Sequence, residues 1–245
     1  MPSSHGWVRG EALTADHRQR LIGLGVDPAT LGVLDLRAVV DPLPAWWHEG
    51  GNALYLTEDA VLPAALVERL ALYPFSGAVL AVAADLTNVV SLLVGGDEAT
   101  VFLGPRTELT AGDLYCGARS AVILNGEVVA TRCAVIDARN GGAIVAQSDQ
   151  LWAANVYLAT DDMHRLEDVA TGERINPFGA TIRLGAHVWL GRDAVVTGHV
   201  EIGDGAVVGA RSLVRGQKVA AQTAVAGTPA RVLREGVTWR GDDTP

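Results

Sequence analysis

Lysine is almost absent from this 245-residue chain: Lys218 stands alone beside 18 arginines, and the net charge is −9. No run of basic side chains is available to meet a phosphate backbone, which excludes nucleic acid as a partner. Cys116 and Cys133 are the only cysteines, too few and too loosely spaced for a disulfide framework or a thiolate metal site. They read as buried apolar residues. His5, His17, His48, His187 and His199 form no ligand spacing, and no metal is expected. Long apolar runs are missing too. Nothing approaches the unbroken apolar stretch of a membrane helix, and Met1–Arg20 lacks the apolar core of a signal peptide, so the expected location is cytoplasmic.

What is present is a period of six. Leu184, Leu190, Val196, Ile202, Val208 and Val214 follow one another at that interval, with glycine directly behind four of them at 185, 191, 203 and 209. Two positions earlier, Ile182, Val188, Ala194, Val200, Ala206 and Ser212 form a second, smaller register. Six is not a helical repeat. It describes a short strand, a corner and another short strand, so that three hexads close one coil and neighbouring coils pair in parallel. Small residues suit a narrow interior, and the glycines imply either a positive φ or a close backbone approach.

Upstream, a helix is predicted over Thr14–Leu24, with Thr14 as cap and Asp16 in its first turn. A second is predicted over Glu58–Tyr73, where Leu62, Leu66, Leu70 and Tyr73 recur at spacings of four and three. Trp46-Trp47 is open to two readings, a sugar-stacking platform or a loop pinned to the core. Degenerate coils are expected from Ala78–Val82 onward, with Leu109 and Tyr115, then Trp152 and Leu158, six apart. The expected division is residues 1–75 as an N-terminal segment, 76–234 as an all-β parallel β-helix, and 235–245 as a tail.

Between Leu158 and Leu184 the register breaks, at an interval of four hexads plus two. The chain must loop outward there, over 159–181, and the loop holds Thr160-Asp161-Asp162-Met163-His164, Glu167-Asp168 and Thr171-Gly172-Glu173-Arg174-Ile175-Asn176-Pro177. A rigid scaffold presenting one irregular segment is a common way to hold reactive groups. His164 can exchange a proton near neutral pH, and Asp162 or Asp161 can hold one of its ring nitrogens. A solvated surface histidine is the other reading of the same residues. His199, on an outward coil position, reads as structural or solvated.

These loop segments, with His187-Val188-Trp189-Leu190-Gly191 and the terminal Ala226-Gly227-Thr228-Pro229-Ala230-Arg231-Val232, resemble the hexapeptide-repeat acyltransferases, in the branch that O-acetylates capsular polysaccharides, sialic acids and related glycans. The resemblance covers Asn140–Arg234. It implies a left-handed parallel β-helix with an N-terminal α/β or irregular cap, and a homotrimer with active sites between subunits. It also implies acetyl-CoA as co-substrate, a sugar or glycan acceptor, His164 as general base with Asp162, and Trp189 lining the cleft. The chain departs from the family in Met163 and Asp161, which stand where small polar residues are usual, and in Gln147 and Gln150.

Donor-site expectations follow from that resemblance. Small residues at Gly209, Ala210, Ala226 and Gly227 would let a pantetheine arm approach the backbone, and Arg215, Lys218 and Arg231 would meet its phosphates, far from His164. Trp189 follows inward-facing Val188 and is expected to point outward. Transfer to an amine, another acyl donor, and a non-catalytic hexapeptide-repeat scaffold are the competing functions.

Overall fold

Coil by coil, the chain lays three parallel sheets around a triangular prism. The computed structural model describes residues 7–176 and 178–242; His5 and Pro177, named above, lie outside them. Face A carries Ala53–Leu56, Val79–Val82, Thr100–Leu103, Ala121–Leu124, Ala143–Ala146, Thr181–Leu184, Val200–Ile202 and Lys218–Val219. Face B runs from Ser91–Val94 through Tyr157–Ala159 and Val195–Thr197 to Leu213–Arg215. Face C runs from Glu108–Leu109 through Gln150–Trp152, Trp189–Leu190 and Val207–Val208 to the hairpin of Thr223–Gly227 and Ala230–Glu235.

Both six-residue registers point inward. Leu184, Leu190, Val196, Ile202, Val208 and Val214 are buried, as are Ile182, Val188, Ala194, Val200, Ala206 and Ser212. Removing such an aliphatic from water contributes on the order of 1.5–3 kcal/mol, so each coil is held by the next. The glycines behind the first register serve close approach: a Cβ on Gly191 or Gly203 would lie 2.6 or 2.5 Å from the backbone nitrogen of Ala210 or Ala221. Left-handed corner positions fall instead on His187, Asp193 and Arg211, with φ of 57°, 58° and 56°.

Earlier coils are longer. Val79 faces Thr100, Thr100 faces Ala121 and Ala121 faces Ala143, so each of these turns takes more than three hexads of chain. Ile182, by contrast, faces Val200 after three hexads. The extra corner residues erase the hexad from the sequence. Leu109 and Leu114, five apart, accordingly both point inward, and half-buried Tyr115 does not continue the register.

The expected boundary at 75/76 does not hold as a structural division. Ala53–Leu56 already pairs in parallel with Val79–Val82, so the stack begins inside the N-terminal segment. Arg37–Asp41 and Val8–Ala12 then extend face A antiparallel, covering an edge that would otherwise present unpaired backbone groups. Helix α1 (Ala15–Leu24) is capped by Thr14, whose hydroxyl accepts from His17 N at 3.2 Å. With α2 (Pro28–Val33), it buries Leu21 and Leu31 on Tyr55, Ala81, Phe102, Ile123 and Val145 of face A. Trp46 and Trp47 sit in α3 (Ala45–Glu49) and pack edge-on against Phe75, which is the pinning reading. The second expected helix shortens to α4 (Ala64–Leu70), because Val61 is drawn into a parallel bridge with Asp85 and Pro63 starts the helix. Tyr73 is exposed.

At the far end the strand continues to Glu235, and Trp239 beyond it is tied back to the coils. Trp239 stacks on His187 at 4.2 Å and donates its indole N–H to the His187 carbonyl at 2.8 Å.

Candidate functional site

The excursion inserts at the edge between faces B and A. Ala143 faces Thr181 across more than twice the chain length that separates Ile182 from its partner Val200. Residues 160–176 form an arm folded on itself by a Glu167–Arg174 bridge and by Ile175 N donating to Leu166 O at 2.9 Å. Its turn is closed by Asp168, whose carboxylate accepts from Ala170 N and Thr171 N. Those backbone donors hold the Asp168 carboxyl below its ordinary pKa.

The arm's root is anchored to the preceding coil. Thr160 Oγ1 accepts from Arg139 N at 2.8 Å, and Asp161 Oδ2 accepts from Asn140 Nδ2 at 2.7 Å and Arg174 Nη2 at 3.2 Å. The other Asp161 oxygen accepts from Met163 N at 2.9 Å, which holds Met163 at φ 65°. Asn176 then clamps the interior: its Nδ2 donates to the His164 carbonyl at 2.8 Å and its Oδ1 accepts from Leu166 N at 3.0 Å. The His164 backbone is thus fixed while its side chain is exposed, and among the described residues nothing hydrogen-bonds its imidazole.

The expected pairing of His164 with a neighbouring carboxylate is not formed. Asp161 is consumed by the arm's root. Asp162 turns to Arg215, 3.3 Å from Nη2. Arg215, Lys218 and Arg231, the residues expected to meet the CoA phosphates, do not form one group within a single copy. Arg215 lies beside the arm, Lys218 is on face A paired with Glu201 at 2.7 Å, and Arg231 is on the closing strand of face C opposite Ala226. They are separated because successive hexads turn onto different faces, which linear proximity conceals.

Gly209, Ala210, Ala226 and Gly227 do come together at the C-terminal end of face C. Val208 faces Val225, a Cβ on Gly209 would lie 2.8 Å from that of Ala226, and Gly227 N donates to Ser212 Oγ at 3.1 Å. Trp189 is on the same face, aligned outward with Val129, Leu151, Val207 and Ala224. It is 38% exposed. Face C is opposite the B/A edge, so one copy of the prism keeps Trp189 and the arm on different sides.

Face B carries a second outward row, of Val135, Val195 and Leu213 with the aromatic Tyr157. Beside it, Arg139 pairs with Asp137 at 2.6 Å and lies over the Tyr115 ring at 3.9 Å. Burial raises the Asp137 carboxyl, against the lowering effect of Arg139.

Two further residues belong to the site. His199, structural or solvated by its position in the sequence, lines a cavity of about 290 Å³ beneath the arm with Asp162, Asn176, Thr197 and Arg215. The available signal is its place at the same edge, one coil after the arm returns. Asn176 lies within the loop motif, where sequence gives it no role. Among the described residues, no group of three or more His, Cys, Asp or Glu could hold a metal ion, and no helix is long and apolar enough to cross a membrane.

Residues 181–216 match the family model described as bacterial transferase hexapeptide (six repeats). A putative lipopolysaccharide biosynthesis O-acetyl transferase, WbbJ of Escherichia coli (strain K12), is 35% identical over 95 residues, 36% of this chain and 47% of that protein. A chloramphenicol acetyltransferase of Agrobacterium fabrum (strain C58 / ATCC 33970) is 39% identical over 59 residues, covering 24% and 27%. The chain therefore spans about half the length of the first relative and about a quarter of the second. The crystal structure of the polySia specific acetyltransferase NeuO superposes with a TM-score of 0.60 at 25% identity, over 70% of this chain and 78% of that one.

Proposed function

From the hexapeptide-repeat acyltransferase fold that this chain carries, we propose that it is an acetyl-CoA-dependent O-acetyltransferase acting on a hydroxyl of a sugar or polysaccharide. The observation that carries the reading is the arm: buried Asp161 and Asn176, with half-buried Arg174, fix the backbone of one histidine and leave its ring free. The relatives named for O-acetyl transfer and for polysialic acid supply the substrate class.

In this reading His164 takes the proton of an acceptor hydroxyl as its oxygen attacks the thioester carbonyl. The tetrahedral intermediate collapses with cleavage of the C–S bond, and the thiolate of CoA recovers the proton from the imidazolium. General base catalysis of this kind contributes about 10²–10⁴-fold. A backbone N–H or the Trp189 indole N–H stabilises the oxyanion. Asp162, engaged with Arg215, shapes the surroundings of His164 without holding its ring. Acetyl-CoA lies along face C from Trp189 toward Gly209, Ala210, Ala226 and Gly227, with Arg231 at the phosphate end.

The separation of Trp189 from the arm supports a site built between copies. Rows of half-exposed aliphatics on faces B and C flank one edge, whereas the outward row of face A ends in Arg183, Glu201 and Lys218. Burying B of one copy against C of the next excludes those aliphatics from water and brings the arm of one chain toward Trp189 of its neighbour. Closed head-to-tail packing of this kind gives a ring, here a homotrimer. Light scattering should give three times the chain mass of 25.6 kDa, and a monomer at micromolar concentration contradicts it.

The transfer itself is tested with purified protein, acetyl-CoA and a panel of hydroxyl- and amine-bearing acceptors, reading free thiol and product mass. Acetylated sugar hydroxyls, lost in His164→Ala, are expected. Parent-level turnover in that variant assigns the base elsewhere, and N-acetylated products alone displace the O-transfer reading.

A further inference from the structure

We infer that the cavity beneath the arm is the acceptor subsite and takes the vicinal diol of one uncharged sugar ring, read by Arg215, Asp162 and His199; this rests on the transferase reading above. The cavity, of about 290 Å³, is lined by Asp162, Asn176, Thr197, His199, Arg215 and Gly216 among others. That size is at the low end of ligand pockets, which run roughly 300–1,000 Å³. It suits one ring beneath the arm, and past His199 and Gly216 the groove continues toward Arg183 and Lys218.

The chemistry of the lining selects the ligand. Arg215 Nη2 and Asp162 Oδ2 lie 3.3 Å apart, presenting a donor and an acceptor side by side. Adjacent hydroxyls of a pyranose match such a pair, one accepting from the guanidinium and the other donating to the carboxylate. His199 adds a third contact of fixed sense. Thr181 N donates to its Nδ1 at 3.2 Å, so Nδ1 carries the lone pair and the proton of the neutral ring is on Nε2. The ring thereby offers a neutral N–H donor to a third sugar oxygen.

The same arrangement disfavours anions. A phosphate or sugar carboxylate placed against Arg215 meets the Asp162 carboxylate on the same cavity wall, and like charges so placed repel. On face A, Lys218 is already engaged with Glu201, and Arg183 lines the adjoining groove and not this cavity. Arg215 is therefore assigned to the acceptor and not to the CoA phosphates. Asp162, two residues before His164, is the lining residue that ties the diol to the base's part of the arm; His164 itself stands outside the lining.

The test uses full-length protein loaded with acetyl-CoA, and methyl glucoside, galactoside and mannoside as probes, with N-acetylneuraminic acid as the anionic contrast. Ligand-detected NMR reads contact, and thiol release reads KM. Arg215→Met and His199→Ala, both at exposed positions, are expected to weaken hexoside contact and raise its KM, by about tenfold or more for the charged Arg215 and by about two- to tenfold for the neutral His199 donor. The acetyl-CoA KM should stay within about twofold, since uniform donor binding is untouched. A raised acetyl-CoA KM with unchanged hexoside contact returns Arg215 to the donor and overturns the inference. So does stronger contact with N-acetylneuraminic acid than with every hexoside, or no contact with any hexoside. Calorimetry of acetyl-CoA on the parent protein judges the transferase reading separately: absent heat removes that reading, and present heat leaves it standing whatever the hexosides do.

Discussion

Asn176→Ala isolates the link between the arm's packing and its chemistry. The side chain is 6% exposed and makes two hydrogen bonds, to the His164 carbonyl at 2.8 Å and from Leu166 N at 3.0 Å. Each bond is worth about 1 kcal/mol net, so their joint loss loosens the arm by about 2 kcal/mol, or roughly 30-fold in its local opening equilibrium. The arm is outside the stacked coils, and the thermal midpoint of the whole protein should scarcely move. Amide exchange at Leu166 should therefore accelerate about 30-fold in the regime where reclosing is fast and the opening equilibrium sets the rate, while the Val196 amide is unchanged. Turnover falls and the acetyl-CoA KM holds, because only the positioning of His164 is lost. Asn176→Asp sharpens the test: it keeps an acceptor for Leu166 N but sets an oxygen against the His164 carbonyl, so protection at Leu166 persists while turnover falls. Unaltered exchange at Leu166 in the alanine variant, or an equal loss of protection across the coils, would refute the argument.

Other expectations concern the scaffold. Gly203→Ala should destabilise the protein by about 1–3 kcal/mol in chemical denaturation, as overpacking does, because its Cβ would lie 2.8 Å from Ala221 Cα as well as against its nitrogen. Gly23→Ala, with open space around it in α1, should instead stabilise by about 0.5–1 kcal/mol; equal effects would undercut the stacking account. Burial pushes the Cys116 thiol up to about 12, whereas Cys133 is half-exposed, so a thiol reagent at pH 8 should modify one cysteine in the native protein and two after unfolding. Modification of both at similar rates would contradict the buried position of Cys116. Burial, then the Arg20 charge, lowers His17 from 6.5. The unfolded chain takes up that proton first, so stability should fall as pH drops below 6.5 and level once the folded His17 is protonated. His17→Gln should flatten this slope, and an unchanged slope assigns it elsewhere.

The later coils were legible because three hexads per coil leave no slack: each inward aliphatic and each close-approach glycine repeats at a fixed interval. The earlier coils were not, since corners such as Arg139–Gly142 add residues and shift the inward position, as at Leu114 beside Tyr115. The start of the stack at Ala53 was hidden for a different reason. A short buried strand flanked by helices carries no hexad, and its place is set by pairing with Val79–Val82. Within the site, the break in register located the arm, and the outward turn of Trp189 followed from Val188 pointing in. The partners of Asp162 and Arg215 were out of reach, because residues 53 apart meet only when two coils and an arm converge at one edge. Counting positions along the chain put those charges far apart; the prism puts them in contact.

The central claim is a site completed by a neighbouring copy, and mixing two variants tests it most directly. His164→Ala and Trp189→Ala are each assembled alone, where transfer is lost in the first and strongly reduced in the second, and then together in equal amounts after dissociation or by co-expression. In a cyclic assembly with each site drawing its arm from one chain and its face C from the next, about one quarter of the interfaces combine an intact His164 with an intact Trp189. Recovery of about a quarter of the parent activity is predicted for the mixture. Activity no higher than the average of the two separate variants, in assemblies shown by mass to contain both chains, would contradict the account.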